Sequence, residues 1–462
     1  MPDGRAPASF RDPSGTVFWH QGELYRSVTK SYEKEFVAAN ESGLYDRLAG
    51  RGLLIPHEAA GIELPGQPDV IAVLRPQKVP FISYPYEWCF GQLKDAALTT
   101  LAVQKAAMDL GFTLKDASAY NVQFLDAKPV FIDTLSFERL EEGQPWVAYK
   151  QFCQHFLAPL LLMAKTDVDL GQLSRLYVDG VPLELASRLL PRKTRWSPWI
   201  AAHIHLHAKT QSQTGPDDER AKAAKVSATG LRALVENLEA IVKRLDWTPQ
   251  GTTWGQYYSE TNYPEEAMSA KKETVAQWLS GIEPKPSSVW DLGANNGEFA
   301  RLATAQSVRT VAWDVDPAAV EQNYRLTRER GDAHMLPLLQ DLTNPSPDQG
   351  WAHEERQSLE RRGPADVVMA LALVHHLAIG NNVPLAEVAR YFARLGRWLI
   401  VEFVPKEDSQ VARMLACRKD VFPGYCLAGF EESFAGCYEV RARKDLPDCS
   451  RTLFLMRSRH LA

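Results

Sequence analysis

Cysteine is scarce in this sequence, and its few copies are not spaced like metal or disulfide sites. The 462 residues include 6 cysteines, and no two of them form a Cys-x-x-Cys pair. Sparse cysteines without a pattern are typical of reduced thiols in the cytoplasm rather than of a disulfide framework. The chain also lacks a Cys-x-x-x-Cys-x-x-Cys motif, which disfavours radical chemistry on an iron–sulfur cluster.

Long apolar runs are missing as well. The longest run, Phe156–Ala164, has nine residues and contains Pro159, whereas a membrane-spanning helix needs about 20 apolar residues. The opening residues Met1–Arg5 carry no apolar stretch of the kind found in secretion signals. We therefore expect a cytoplasmic protein without a membrane span.

An excess of positive charge is also absent. Lysine and arginine together number 52, against 57 aspartates and glutamates, which gives a formal net charge of -5. This balance provides no general attraction to nucleic acid or to an anionic membrane, although a local basic patch could still exist. Nothing in the sequence indicates the oligomeric state.

The length of the chain and its polar stretches predict more than one domain, because 462 residues exceed what one ordinary core organises. We assign residues 1–210 to an α+β domain that binds substrate or is accessory, and residues 211–230 to a polar linker. Residues 231–284 are assigned to a helical lead-in, and residues 285–462 to a C-terminal domain. Within the first domain, apolar patterning predicts a helix over Tyr32–Leu48 and a strand over Val79–Tyr84.

The C-terminal domain alternates short apolar runs with segments of helix length. The candidate strands are residues 287–291, 309–314, 335–340, 366–371 and 397–403. This alternation is typical of an α/β fold with a doubly wound, mostly parallel, Rossmann-like sheet. Two later runs, Tyr438–Arg441 and Arg451–Met456, are predicted to form a closing antiparallel hairpin at the edge of that sheet.

Acidic residues stand at the ends of the first three candidate strands. Asp291 closes the first strand, Asp314 the second and Asp341 the third. Ligands of open α/β sheets bind beyond the carboxyl ends of the strands, where a carboxylate can accept hydrogen bonds from a ribose diol or an exocyclic amine. The turn after Asp291 contains Gly293 and Gly297, which allow the backbone to approach a ligand closely. The pattern therefore predicts a nucleotide-like cofactor.

These features resemble class I S-adenosylmethionine-dependent methyltransferases over residues 285–457. A dinucleotide oxidoreductase is the rival for a Gly-x-x-x-Gly turn after a strand, but the acid that closes the first strand and the C-terminal hairpin favour the methyltransferase. The resemblance implies S-adenosylmethionine as cofactor, with Asp314 at its ribose and Asp341 at its adenine amine. The residues that it places at the cofactor are Asp291, Gly293, Ala294, Asn295, Gly297, Asp314, Val315, Asp341, Leu342 and Leu371.

Three stretches of the same domain resemble a narrower subgroup. They are Ala370–Ile379, Asn381–Pro384 and Val401–Asp408, and they are similar to methyltransferases named after a rhizobial host-specific nodulation protein. This resemblance implies no particular substrate.

Methyl transfer to an oxygen needs a base as well as an aligned nucleophile. His375 and His376 follow the fourth strand, and histidine is the natural base near neutral pH. Because neighbours in an extended chain point opposite ways, we expect one of them to face the cleft and favour His375; the alternative is that both only shape the loop. Glu402 closes the fifth strand. One role for it is to orient a hydroxyl or ammonium group of the substrate; the alternative is that it only supports the site. Lys271 and Lys272 lie in the lead-in helix, and a lysine there is a candidate partner for the cofactor carboxylate or else a solvated charge.

The stretch Leu114–Asp133 resembles the catalytic and metal loops of small-molecule phosphotransferases with the kinase-like fold. Carried over by position, Asp116 would be the base, while Asn121 and Asp133 would hold Mg²⁺. However, no Gly-x-Gly-x-x-Gly loop and no Val-Ala-Ile-Lys-like strand precede them. We favour a degenerate kinase-like domain that binds a substrate or a partner; active phosphotransfer and an unrelated helical domain are the alternatives.

Histidines alternate at positions 203, 205 and 207, a spacing that would place three imidazoles on one face of a strand. No acid or cysteine lies close in sequence to complete a ligand set, and the preceding Trp196–Ile200 suits the start of a buried helix, which would disperse the rings. We therefore predict no metal site.

The sequence as a whole predicts an S-adenosylmethionine-dependent methyltransferase. No Asn/Asp-Pro-Pro-Tyr motif is present, which disfavours methylation of nucleobase or glutamine amino groups. The histidine pair favours an oxygen of a small molecule or glycan as the acceptor. A bifunctional kinase–methyltransferase is one alternative, in which Asp133→Ala would abolish ATP turnover. A non-catalytic protein that senses the cofactor is another, and it would bind the cofactor without methylating any acceptor in cell extract.

Overall fold

The computed structural model describes residues 4–6, 8–64, 67–206, 226–249, 264–416 and 420–461. The chain forms two compact units. The first contains Met1–Thr248 together with Gln349–Arg356, and the second contains Pro249–Asp348 and Gln357–Ala462. The first unit is therefore built from two separate stretches of sequence. Most of the predicted linker, residues 211–230, lies outside the described residues.

The first unit begins with an antiparallel sheet in the order β1-β2-β3-β5-β4. Its strands are β1 Gly4–Arg5, β2 Val17–His20, β3 Glu23–Thr29, β4 His57–Ala59 and β5 Val70–Pro76. The helix predicted over Tyr32–Leu48 is divided into α1 (Glu33–Glu41) and α2 (Leu44–Gly50). The division falls at Gly43, whose φ of 69° is outside the helical region. The strand predicted over Val79–Tyr84 is absent, and Pro80 within it has no N–H for a ladder.

A long helix and two small antiparallel sheets follow. The helix is α3 (Phe90–Met108). One sheet pairs β6 (Phe112–Leu114) with β9 (Phe137–Arg139), and the other is a hairpin of β7 (Val122–Leu125) and β8 (Lys128–Phe131). The remaining helices of the first unit are α4 Tyr149–Phe152, α5 Ala158–Lys165, α6 Leu173–Leu176, α7 Leu183–Leu189, α8 Pro198–Ile200 and α9 Ala228–Arg244.

Helix α9 belongs to the first unit, although the sequence predicts a lead-in to the C-terminal domain over residues 231–284. Its buried stripe of Leu231, Val235 and Leu238 packs in this unit, where α9 contacts α3. An amphipathic stripe predicts that a helix is packed on something, but it does not identify the surface that covers it.

The second unit is built on a seven-stranded, mostly parallel sheet in the order β12-β11-β10-β13-β14-β16-β15. Its strands are β10 Ser288–Leu292, β11 Arg309–Asp314, β12 Met335–Leu339, β13 Ala365–Ala370, β14 Gly396–Phe403, β15 Tyr438–Asp445 and β16 Thr452–Ser458. Strands β10 to β14 run parallel, and β16 pairs antiparallel with both β14 and β15. The predicted α/β class with a mostly parallel sheet is confirmed.

Six α-helices of the second unit lie within its described residues. The helices are α10 Glu265–Gly281, α11 Ala300–Thr304, α12 Pro317–Arg330, α13 Leu385–Leu395, α14 Ser409–Ala416 and α15 Leu427–Ala435. Helix α12 has the clearest end signals: the Asp316 side chain caps the N–H groups of its first turn, Pro317 occupies the first position, and Gly331 (φ 63°) ends it. Val289, Val367 and Ile400 lie in the core of this unit, fully buried. Among the described residues of the whole chain, no helix is long and apolar enough to cross a membrane.

Candidate active site

A cavity of about 290 Å³ lies in the second unit, where β10, β11, β12 and β13 end. The predicted cofactor residues that line it are Asp291, Gly293, Ala294, Asn295, Asp314, Val315, Asp341, Leu342 and Leu371. Parallel strands present their carboxyl ends at one edge, so residues distant in sequence meet in one place. Of the predicted set, only Gly297 does not line the cavity.

The turn after β10 is narrow because of its backbone conformation. Gly293 has a φ of 74°, and a Cβ atom there would lie 3.2 Å from the Leu373 side chain, which also lines the cavity. The N–H groups of Gly293 and Ala294 both donate to the Trp313 carbonyl at 2.9 Å. Asn295 has a φ of 50°, a conformation that asparagine tolerates better than most residues. The turn is therefore tied to β11 with its small residues towards the cavity.

Gly297 has a different role from the one predicted. A Cβ atom at this position would lie 2.5 Å from Asn323 Nδ2 and 2.7 Å from Arg301 Nη1. These side chains belong to α12 and α11, so Gly297 permits close helix packing behind the turn instead of an approach to a ligand.

Asp291 is a buried carboxyl group that faces the cavity. It is 2% exposed, and its Oδ2 atom has no hydrogen-bond partner among the described residues. Burial raises the pKa of Asp291 to about 7, Asp314 adds to the increase, and Lys271 opposes it. An unpartnered carboxylate oxygen in such a place is costly unless a ligand supplies a donor.

Asp314 and Asp341 are held in place by local backbone groups. Asp314 accepts from the N–H of Asn295 at 2.7 Å and from the N–H of Asp316 at 2.9 Å. Burial raises the pKa of Asp314 to about 6, although these N–H donors act in the opposite direction. Asp341 Oδ1 accepts from Thr343, from the N–H at 2.8 Å and from Oγ1 at 2.6 Å. The orientation of both carboxyl groups is thus fixed before any ligand binds.

A buried network of charges adjoins the cavity. Lys271 Nζ donates to Glu402 Oε2 at 2.7 Å and lies 4.5 Å from the centre of the Phe299 ring. Arg451 Nη1 is 3.7 Å from Glu402 Oε1, and its Nε donates to Asp408 at 2.7 Å. Burial lowers the pKa of Lys271, and Glu402 opposes that change. Lys271 itself lines the cavity, so the network holds a cation at the wall of the cavity.

Glu402 does not occupy the position expected for a catalytic group. Its side chain is fully buried, it does not line the cavity, and it lies between the cations of Lys271 and Arg451. Of the two roles considered for this residue, the geometry supports the second, a carboxylate that positions Lys271 and does not reach a substrate.

The two histidines are arranged in the opposite way to our expectation. His376 lines the cavity, whereas His375 does not and is 3% exposed. The expectation assumed an extended chain, but His375 is helical (φ -67°, ψ -30°) and precedes the π-helical turn His376–Gly380. The two rings are 4.1 Å apart. Burial lowers the pKa of His376 to about 4, helped by Arg451, and burial also lowers the pKa of His375.

The cavity contains further residues that the sequence analysis did not assign to it. They are Met268, Phe299, Gln340, Thr343, Ala372, Leu373, Leu377, Gly380 and Asn381. All nine are uncharged, so they carry no chemical signature. Their nearness in sequence to predicted site residues such as Lys271, Gly297 and Asp341 is the signal that could have indicated them.

The candidate phosphotransfer residues of the first unit are hydrogen-bonded to neighbouring groups of the protein. Asp133 Oδ1 lies 2.7 Å from Arg26 Nη2, and its other oxygen accepts from the Ser136 hydroxyl. Asn121 donates to the same hydroxyl at 3.4 Å. Asp116 accepts from the N–H of Ser118 at 2.8 Å, and burial raises its pKa. Arg26 thus pairs with the carboxylate that a metal ion would need, and the set does not fit a Mg²⁺ site.

Metal-ligand clusters are not found elsewhere in the part of the chain that the structure describes. His203 and His205 are buried and lie within hydrogen-bond distance of neutral side chains. Position 207 lies outside the described residues.

Comparisons with known proteins cover all or part of the chain. No family model matches it. The chain is 38% identical over 464 residues to the nodulation protein NoeA of Rhizobium meliloti (strain 1021), which covers 98% of this chain and 95% of that protein. Among solved structures, it is similar to magnesium protoporphyrin IX methyltransferase (ChlM) from Synechocystis PCC 6803 with bound SAH, with 17% identity, a TM-score of 0.32, and coverage of 44% of this chain and 92% of that one. It is also similar to the bifunctional kinase-methyltransferase WbdD, with 17% identity, a TM-score of 0.30, and coverage of 47% and 45%.

Proposed function

The chain belongs to the family of the nodulation protein NoeA, and from this premise we propose that it is an S-adenosylmethionine-dependent methyltransferase. The observation that carries the proposal is the cavity in which Asp291, Asp314 and Asp341 meet at three successive strand ends, with Lys271 at its wall. This combination of charges matches a ligand with an ammonium group, a carboxylate, a ribose diol and an adenine amine.

The residues of the cavity fit the cofactor group by group. Asp291 Oδ2, which has no partner in the described protein, would accept from the ammonium group, and Lys271 would pair with the carboxylate. Asp314 would accept from the ribose hydroxyls and Asp341 from the adenine amine. Gly293 leaves the space that a side chain would fill. When bound, the cofactor supplies an electrophilic methyl group on a sulfonium.

The protein's own contribution to the transfer would be exclusion of water, alignment and proton removal. Met268, Phe299 and Leu373 provide an apolar wall that limits water. His376 lies in the same cavity, and its low pKa keeps the imidazole neutral at neutral pH, the state that can accept a proton.

The lining beside His376 supports an uncharged acceptor. Leu377, Gly380 and Asn381 belong to the same turn as His376 or follow it directly, and all three line the cavity. A neutral hydroxyl of a small molecule or glycan suits such a lining, whereas an acidic or strongly cationic acceptor would have no counter-charge among these residues. We therefore favour O-methylation.

The first unit is proposed to be an accessory domain that binds substrate or a partner. The observation behind this choice is the Arg26–Asp133 pair, because a metal ion would have to displace the guanidinium from the carboxylate. The same pair disfavours the bifunctional kinase–methyltransferase.

Calorimetry with S-adenosylhomocysteine tests the cofactor, and transfer of a labelled methyl group to fractionated extract tests the enzyme. We expect saturable binding together with a labelled small-molecule or glycan product. A lack of binding at high micromolar ligand would contradict the cofactor assignment. Binding without any labelled product would favour the cofactor-sensing protein.

His376→Ala is expected to lower kcat by about 10²- to 10⁴-fold, the range for loss of a general base, with little change in the Kd of S-adenosylhomocysteine. Because the pKa of His376 is lowered to about 4, its neutral form prevails above that pH. Protonation of His376 should therefore lower the wild-type rate only when the pH is decreased towards 4. His460→Ala removes an exposed histidine and is the matched control. Full turnover by the His376 variant with cofactor bound would end the general-base hypothesis.

A further inference from the structure

A surface of the first unit combines exposed tryptophan with unbalanced positive charge. We define the basic–aromatic surface as Arg192, Lys193, Arg195, Trp196 and Trp199. It lies within residues 185–206, a stretch without a single aspartate or glutamate in a chain whose net charge is -5. It is a local basic patch of the kind that the overall composition left open.

The tryptophans of this surface are unusually accessible. Trp196 is 88% exposed and Trp199 is 48% exposed, whereas tryptophan is highly buried on average in folded proteins. The three cations are also exposed, and none of them forms an ion pair with any residue that the structure describes. Leu189 and Leu206, in the flanking helical segments, add exposed apolar area. Large apolar side chains beside uncompensated charge mark an interaction surface.

A buried polar frame holds this surface in place. His205 Nδ1 lies 2.8 Å from Ser187 Oγ, and His205 Nε2 lies 2.9 Å from Thr194 Oγ1. Thr194 also donates to the Pro191 carbonyl at 2.7 Å. The short helical segments that carry the tryptophans are thereby tied to α7 and to the segment Ala201–Leu206. The exposed tryptophan rings therefore lie on a segment that is fixed by hydrogen bonds and not on a frayed helix end.

We propose that the basic–aromatic surface docks the protein onto an anionic membrane surface. Tryptophan favours the boundary between headgroups and acyl chains, because its ring is apolar and its N–H is polar. Lysine and arginine are attracted to anionic headgroups near that boundary. The combination provides two signals, buried apolar area and electrostatic attraction, which together strengthen attachment to anionic lipid.

Other partners fit this surface less well. Binding to nucleic acid would gain nothing from the exposed leucines, because contacts with phosphates are electrostatic. Protein interfaces are enriched in tryptophan and arginine but depleted in lysine, and a protein partner would have to be acidic throughout its contact area, because this stretch carries positive charge only. The inference concerns docking and does not depend on the proposed methyl transfer.

Flotation of the full chain with lipid vesicles tests the docking. We expect binding to phosphatidylcholine vesicles that contain about 30% phosphatidylserine, little binding to phosphatidylcholine alone, and a decrease with rising salt. The triple variant Arg192→Ser/Lys193→Ser/Arg195→Ser should weaken binding by about fivefold per cation, or roughly 100-fold in total. The double variant Trp196→Ala/Trp199→Ala should weaken it by about tenfold or more.

Matched variants of the same unit serve as controls. Lys34→Ser/Arg51→Ser/Lys150→Ser removes three exposed cations elsewhere, and Trp351→Ala removes a tryptophan that is 71% exposed; both should bind vesicles like the wild type. Because all substituted side chains are exposed, the unfolding midpoints should not change. Quenching of wild-type fluorescence by brominated lipid gives a second measurement that needs no variant.

Several results would overturn the proposal. One is no flotation of the wild type with anionic vesicles at low salt, and another is equal loss of binding in the control variants. A third is self-association or binding to duplex DNA that depends on the two tryptophans while binding to vesicles does not.

Discussion

Asp291→Asn is expected to weaken cofactor binding strongly and at the same time to stabilise the unliganded protein above neutral pH. Truncating one partner of a buried charge pair costs 2 kcal/mol or more, so we expect the Kd of S-adenosylhomocysteine to rise by about 30-fold or more. The loss follows because Asp291 Oδ2 is the acceptor that lacks a partner within the described protein. Calorimetry at pH 8 measures this part of the prediction.

The effect on stability follows from the raised pKa. The folded state holds the Asp291 proton up to a pH of about 7, whereas the unfolded state releases it near the ordinary value of 3.8. The carboxyl group therefore reduces stability progressively as the pH rises from about 4 to 7, and its cost is on the order of 4 kcal/mol above that window. The asparagine variant should unfold about 5 °C or more above the wild type at pH 8, with the gain vanishing towards pH 4.

Glu329→Gln is the matched control for this experiment, because it removes an exposed carboxylate from α12 in the same unit. It should alter neither the affinity nor the pH dependence of unfolding. An asparagine variant that binds S-adenosylhomocysteine like the wild type would refute the role of Asp291 at the cofactor. An unfolding difference independent of pH would refute the pKa argument.

Glu402→Ala is expected to destabilise the second unit by about 3–5 kcal/mol, the usual cost of removing one member of a buried ion pair. The substitution leaves Lys271 and Arg451 buried with their shared carboxylate gone. Urea unfolding followed by a probe in this unit measures the change. The double variant Lys271→Met/Glu402→Leu removes the Lys271–Glu402 pair together and should recover much of the lost stability.

A surface pair provides the control for this result. Glu439→Ala breaks the exposed Arg441–Glu439 pair, whose atoms are 2.8 Å apart, and should change stability by less than about 1 kcal/mol. The double variant should fold but bind S-adenosylhomocysteine more weakly, since it lacks the cation proposed for the cofactor carboxylate. Equal destabilisation by Glu402→Ala and Glu439→Ala would contradict the buried network.

The sequence predicted most of the features that depend on local pattern. Asp291, Asp314 and Asp341 could be placed at one edge because apolar runs of strand length ended there and parallel strands share that edge. The mostly parallel part of the sheet followed from the same alternation of strands and helices, and two late apolar runs predicted the hairpin at its edge. These inferences needed only the order of elements along the chain.

Features that depend on exact backbone geometry or on distant contacts could not be predicted. The choice between His375 and His376 turned on whether the loop is extended or helical, and nothing in the residues of the loop decides that. The Lys271–Glu402–Arg451 network joins three elements far apart in sequence, so each charge alone was as consistent with a solvated surface. The break at Gly43 was visible only as a glycine inside a helical pattern.

The two-part make-up of the first unit constrains how the protein can be dissected genetically. Arg356 stacks 3.9 Å from the centre of the Tyr120 ring, and Glu355 pairs with Arg11. Both residues are encoded more than a hundred codons after Thr248, where the first stretch of this unit ends. A gene fragment that stops at Thr248 would express Tyr120 and Arg11 without these partners. Point substitutions in the intact gene keep these contacts, whereas expression of the N-terminal half alone removes them.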